Sequence, residues 1–220
     1  MKILGINGSP RGSKSQTLIL VNAVLEGAKA SGAEIELVDV CKLNITYCNA
    51  CGVCYAKGKC VHEDDFEDLY RKILECDGLV LGSPVYFRSV TAQLKTLIDR
   101  MADAIHCQLL TGKYGCAVAT AGSPNYAEVT DYLSRIIIGF GASAVGSVGA
   151  TPSIPGDIEA KKKEAFKLGQ TLADAIKTKR AYPEQDVIHN ETRNRFKLLV
   201  QVNKDIWAHQ YEHWKKMGWL

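Results

Sequence analysis

The chain has no long hydrophobic run. Its most apolar stretches, such as Arg135 to Phe140, fall far short of the roughly 20 residues that span a bilayer, so no membrane segment is expected. An excess of one charge is also missing. The 27 Lys and Arg against 24 Asp and Glu leave +3, and no dense basic cluster with interleaved aromatics occurs, which argues against nucleic acid as a partner. No basic segment followed by an apolar one opens the chain. Met1-Lys-Ile-Leu4 leads at once into a strand and a glycine loop, so no secretory leader is expected. There is no internal repeat. With 46% apolar and 23% charged residues the composition is that of an ordinary globular protein. The 220 residues suffice for one well-buried domain plus an extension. These features together predict a cytoplasmic protein.

Two familiar nucleotide loops are absent as well. A Walker loop needs Gly-x4-Gly-Lys-Ser/Thr, but Gly8 is followed by Gly12-Ser13-Lys14-Ser15, which breaks that spacing. The dinucleotide pattern Gly-x-Gly-x-x-Gly fails because Gly5-Ile-Asn-Gly8 is spaced differently.

What is present is an alternation of apolar strands and amphipathic helices. Strands are predicted at Lys2–Asn7, Glu34–Val38, Gly78–Leu81, Gly115–Ala119 and Ala142–Gly149. Helices are predicted at Gln16–Ala30, Asp64–Glu75, Thr91–Met101, Ala127–Gly139 and Asp157–Lys179. Several strands are continuously apolar, which suits a parallel sheet covered on both faces. The prediction is an α/β, doubly wound, three-layer sandwich with a five-stranded parallel sheet over residues 1–180. Ligands in such sheets bind beyond the carboxyl ends of the strands. The remainder, 181–220, has Phe196, Leu199, Val200, Asn203, Trp207, Tyr211 and Trp214 at three- or four-residue steps. It is predicted to be a C-terminal helical arm, one long helix with an aromatic stripe, docked on its own subunit or on a neighbour.

The first crossover, Gly8-Ser-Pro-Arg-Gly-Ser-Lys-Ser-Gln-Thr17, combines small residues, hydroxyls, an arginine and a helix start. A helix N-terminus favours a phosphate through its free N–H groups and dipole, and an arginine can fork onto two oxygens.

Asn7-Gly-Ser-Pro-Arg11 with Ser15-Gln-Thr17, then Gly82-Ser-Pro-Val-Tyr-Phe87, then Leu94-Lys-Thr-Leu-Ile-Asp-Arg100, resembles the flavodoxin-like NADPH-dependent FMN reductase superfamily. With the cysteine run described next, the chain most resembles the iron–sulfur flavoprotein branch. The resemblance covers about residues 1–180. Gln16 departs from it, since many relatives carry Asn there. It implies FMN, with the phosphate on Ser9, Arg11, Ser15, Gln16 and Thr17, and with Ser83, Pro84, Val85, Tyr86 and Phe87 bordering the isoalloxazine. A third loop, Thr120-Ala-Gly-Ser123, ends the fourth strand, and Gly122 would let the backbone approach the ring closely. The resemblance also implies an FMN-dependent oxidoreductase that assembles as a homodimer or homotetramer.

Half of the eight cysteines lie between Cys48 and Cys60. Cys48, Cys51 and Cys54 are two residues apart and Cys60 closes the run. Structural zinc usually takes two C-x2-C knuckles with a longer spacer, and a redox dithiol needs only two thiols. The overlapping spacing suits one 4Fe-4S cluster best, with zinc or thiol chemistry as rivals. Lys57 and Lys59 lie inside the run and no carboxylate does, so nearby cations should raise the cluster potential. Because the run follows the second strand, it is expected on the same sheet edge as the phosphate loop. Cys41, Cys76, Cys107 and Cys116 read as packed apolar groups.

The functional expectation is electron transfer between a reduced donor, ferredoxin or NAD(P)H, the cluster and FMN, and on to a small-molecule acceptor. The rivals are an NAD(P)H-dependent FMN or quinone reductase with secondary cysteines, and an electron carrier or redox sensor without a substrate. His209-Gln-Tyr-Glu-His213 matches a short zinc-protease pattern, but with only seven residues beyond it those histidines are expected as polar positions on the arm. His106 is a weak candidate for a substrate contact.

Overall fold

The structure is a computed structural model that describes residues 1–220. Five parallel strands, β1 (Lys2–Asn7), β2 (Glu34–Asp39), β3 (Gly78–Pro84), β4 (Tyr114–Thr120) and β5 (Ser143–Ala150), form one sheet in the order β2-β1-β3-β4-β5. The β3 and β4 backbones are almost wholly buried, which explains their continuous rather than alternating apolar sequence. One face is covered by α1 (Gln16–Ala30) and, later in the chain, the helix Asp157–Thr178. The other is covered by the helices Phe66–Glu75, Ala92–Arg100 and Ala127–Gly139. In chain order the helices are α1, α2 (Val53–Lys57), α3 (Phe66–Glu75), α4 (Ala92–Arg100), α5 (Ala102–His106), α6 (Ala127–Gly139), α7 (Asp157–Thr178), α8 (Pro183–Val202) and α9 (Ala208–Lys216). The short helices α2 and α5 escape periodicity, since five residues hold barely more than one turn.

From β1 the chain goes to β2 on one side and then crosses back to β3 on the other. Asn7 therefore pairs with both Asp39 and Gly82, and the loops after β1 and β3 part at the topological switch point. Gly8 N donates to Gly82 O at 2.7 Å and ties the two loops together. A Cβ on Gly8 would lie 2.9 Å from Leu94 Cβ and 3.0 Å from Gly82 O, so α4 can approach this loop only over a glycine.

Two expectations are corrected. The arm is not one long helix. It breaks after Val202, where Asn203 caps α8 and its carbonyl receives the N–H groups of Ile206 and Trp207. The break turns Trp207 inward and docks the arm on its own chain. Phe196, Val200 and Trp214 bury against Cys107, and Trp214 Nε1 donates to His106 O at 3.0 Å.

The cysteine segment is not on the edge where the strands end. After β2 the chain turns down along α4, with Val40, Leu43, Ile45 and Tyr47 lying against Ala92, Gln93 and Thr96. Arg100, the last residue of α4, then donates to Thr46 O at 2.7 Å. The cysteines follow at the junction of α4 and α5, toward the side where strands begin. There Leu110 N donates to Phe140 O just past α6, and Gln185 of α8 bonds Ala144 at the start of β5. Local strand order could not show this, because it depends on a long connection whose only regular pieces are a 3-10 turn, Val40–Lys42, and the five-residue α2.

Candidate functional site

The loop after β1 is shaped by its own polar groups. Asn7 Oδ1 accepts from Ser9 N at 3.3 Å, and Ser9 Oγ accepts from Arg11 N at 3.4 Å. A short 3-10 turn, Gly12–Lys14, delivers the chain to α1, whose first N–H groups have no helical acceptor. Thr91 Oγ1, at the N-cap of α4, donates to Gly8 O at 2.6 Å. The loop after β3 is held by Val85 N donating to Thr120 O at 2.8 Å, and Thr17 and Thr120 hydroxyls share a hydrogen bond of 2.6 Å. Three loop ends are thus locked to one another.

Ser9, Arg11, Gln16, Thr17, Pro84, Val85, Tyr86, Thr120 and Gly122 line one cavity of about 170 Å³, together with Ala121 and Pro152. Pockets that enclose a whole organic ligand begin near roughly 300 Å³. This cavity therefore suits a phosphate and a polyol chain, with any attached ring lying at its open mouth. Pro152, just past β5, carries no chemical signature in the sequence and reaches the wall only through the pairing of β4 with β5.

Three anticipated residues stand elsewhere. Ser15 is buried as the N-cap of α1, its Oγ accepting from Leu18 N at 3.0 Å. Ser83 is also buried, donating to Pro84 O and accepting from Thr91 N, so it shapes the loop from inside. Phe87 is fully exposed. It and Arg88 have φ of 47° and 64°, the left-handed region, in a tight turn closed by paired Tyr86 and Ser89 backbone bonds. Such backbone in non-glycine residues costs about 1–3 kcal/mol each, and it sits at the cavity mouth. Arg88 is anchored by a two-pronged ion pair to Glu128.

The cysteine segment forms a second polar locality. All four thiols are free, with Cys48 and Cys51 exposed and Cys54 and Cys60 partly buried. They are not gathered tightly around a single point as a one-ion site requires. Burial, with the charges of Asp103, Cys60 and Cys51, pushes the Cys54 thiol up to about 11. The base of the loop is a closed stem. Asp64 accepts from Thr46 N at 2.8 Å and Phe66 N at 3.1 Å, and Asp65 accepts from Asn44 N at 2.7 Å. Arg100 forks onto Asp64 at 2.8 and 3.2 Å, both side chains being at most 3% exposed. Its guanidinium also lies over the Phe66 ring at 4.4 Å. Burial alone would raise the Asp64 carboxyl, but Arg100 and the two N–H donors hold it well below the usual carboxylate range.

The arm supplies the other wall. Tyr55 of α2 packs on His106 and Trp207 with ring centres 4.7 and 5.0 Å away. Gly58, at φ 68°, faces the His209 ring so closely that a Cβ would come within 2.4 Å of it. His213 bonds Cys107 O, and His106 bonds Gln210, so none of the three histidines is at the cavity.

A sheet of this strand order with a phosphate-sized cavity at its switch point places the protein in the flavodoxin-like class. Solved structures share that fold. A flavone reductase superposes with TM-score 0.66 at 21% identity, covering 80% of this chain and 63% of its own. A WrbA-like flavodoxin of Agrobacterium tumefaciens gives 0.55 at 18% identity, covering 81% and 99%. Sequence comparison narrows the class. The model of the family NADPH-dependent FMN reductase matches residues 1–154, and the chain belongs to that family. It is an FMN-dependent oxidoreductase. An iron-sulfur flavoprotein of Archaeoglobus fulgidus is 37% identical over 100% of both chains. Another, from Methanocaldococcus jannaschii, is 33% identical over 80% of this chain and 98% of its own.

Proposed function

We propose that the protein passes electrons between a reduced donor, a 4Fe-4S cluster on Cys48, Cys51, Cys54 and Cys60, and FMN held in the cavity between the β1, β3 and β4 loops. The observation that carries this reading is the donor set. Four free thiols and no other ligand type share one loop, which is clamped at its base by a buried Arg100–Asp64 pair, in a chain that also has a phosphate cradle. Soft thiolates suit an iron–sulfur centre. The Archaeoglobus relative, matched over the whole of both chains and named an iron-sulfur flavoprotein, supports the reading.

Arg11, Gln16, Thr17 and Ser9 would take the FMN phosphate, and Pro84, Val85, Tyr86, Thr120 and Gly122 would face the sugar chain and ring. FMN supplies one- and two-electron chemistry and a cluster supplies single electrons. The protein fixes their positions and fields. The stem fixes the thiol loop, and the arm covers it from the other side. In one chain the cavity and the thiol loop lie at opposite ends of α4, whose nine residues span about 13 Å. An assembly of two or four chains would bring one chain's thiol loop to another's cavity. The donor is a ferredoxin-type protein or NAD(P)H, and the acceptor a small molecule.

The family name itself favours a second reading, a direct NADPH-driven flavin or quinone reductase in which the cysteines are secondary. Anaerobic purification with iron, sulfide and zinc analysis tests the two. We expect about four irons per chain, as the cluster's composition requires, and Cys51→Ser should remove iron while retaining FMN. Zinc in place of iron, or NADPH oxidation unchanged by Cys51→Ser, would overturn the relay.

A further inference from the structure

The sequence offers Lys57 and Lys59 as the cations near the thiol loop, but both side chains are exposed, where water and salt screen them. The cation that the fold brings to the thiols is Arg100, from a different element. It is 5% exposed as a residue and its side chain 1%. Two of its nitrogens are committed to Asp64 and Thr46 O. The third, Nε, is buried and has no acceptor at all. The guanidinium stands near Cys60, the residue that closes the cysteine run, with no hydrogen bond between the two in the structure.

An orphaned buried N–H is costly, about 1–3 kcal/mol, and rare enough to need a reason. A neutral thiol is a weak acceptor. A thiolate is a strong one, and bonds to charged partners are shorter and about twice as strong. Nε is therefore satisfied when Cys60 carries negative charge, as it does as a ligand to iron.

We infer that Arg100 tunes the potential of the iron–sulfur centre, donating from Nε to the Cys60 sulfur and so favouring the reduced, more negative state over the oxidised one. This rests on the proposal that the four cysteines hold a 4Fe-4S cluster. One electron adds one negative charge at constant ligation, so hydrogen bonds to the sulfurs and buried cations move the potential up. Asp64 partly offsets the guanidinium charge, and its removal should act in the opposite sense to removal of Arg100.

The test is a spectroelectrochemical titration of loaded, full-length protein, with the FMN potential in the same sample as an internal reference. Arg100→Gln should lower the cluster potential by the equivalent of at least tenfold in the reduction equilibrium, about 59 mV for one electron. Asp64→Asn should raise it, and the FMN potential should stay in place in both. Opposite shifts are not what loosened packing produces. A measurement on wild-type protein needs no variant. Isotope-labelled arginine should show a hyperfine coupling to the reduced cluster in electron–nuclear double resonance. An iron-loaded protein without that coupling, or variants with unmoved cluster potentials, would overturn this inference alone. Iron-free wild-type protein would overturn the cluster reading and this inference together.

Discussion

Asp64 shows how much of this protein rests on single buried charges. Its side chain is 3% exposed, accepts two backbone N–H groups and is forked by Arg100. Removing one partner of such a pair leaves the other uncompensated and costs about 3–5 kcal/mol. Asp64→Asn should therefore lower the urea stability at neutral pH by about that amount. The pH dependence has a definite sign. The folded carboxyl is held below its unfolded value of about 3.9, so its contribution is complete above that value and fades as pH falls toward the folded one. The gap between wild type and variant should stay flat from neutral pH to about 5 and narrow below about 4. A gap that narrows already near neutrality would count against the pair. Nothing in the sequence marked Asp64 or Arg100 as partners. They are 36 residues apart, Asp64 at a helix start and Arg100 at the end of the Leu94–Arg100 motif, with no local pattern that joins them.

Among the elements, the broken arm has the clearest consequence. Its aromatic stripe is visible as a helical period, but the break at Asn203 is not, because the reason for it lies outside the arm. Trp207 has to turn to meet Tyr55 and His106, and Gly58 has to stay a glycine to admit His209. Helix α2, with no buried residue of its own, gains its packing from this contact. Trp214 is the anchor, fully buried and bonded to His106 O. Trp214→Ala should cost about 3–5 kcal/mol of local docking energy. Limited proteolysis should then cut near residues 179–183, before α8, while FMN stays bound to the core. Equal protease resistance would show that the arm is held elsewhere.

For the whole molecule the decisive fact is that the two polar localities lie at opposite ends of α4 within one chain. The cavity lined by Ser9, Arg11, Gln16 and Thr17 sits where the strands end, and the thiol loop sits beyond the other end of α4. A path that crosses between chains can be shorter than one that stays inside. Mixed oligomers test this. One chain would carry Cys51→Ser, and the other Arg11→Ala to weaken FMN binding. Electron transfer from chemically reduced iron–sulfur centres to FMN, followed by stopped-flow absorbance, should reappear in the mixture and be missing from each parent. Silence in a mixture shown to contain both chains would place the path within one subunit. No helix of the structure is long and apolar enough to cross a membrane.

The sequence by itself determined the sheet and its helices, because those rest on local periodicity, on helix starts and on residues next to one another in the chain. Lys2–Asn7, Gln16–Ala30 and Ala127–Gly139 have the bounds that their apolar spacing predicts. It also determined that four thiols share one loop. Only the tertiary structure decided where that loop lies, which serines are caps rather than cavity walls, and which cation stands beside the thiols. Ser15 and Ser9 have the same chemistry and differ only in the direction the backbone turns them. Arg100 stands beside the cysteine segment because the run 40–47, which opens with a 3-10 turn at Val40–Lys42, is laid along α4. That path is set by burial of Val40, Leu43 and Ile45 against the core, a long-range balance of contacts that no local pattern encodes.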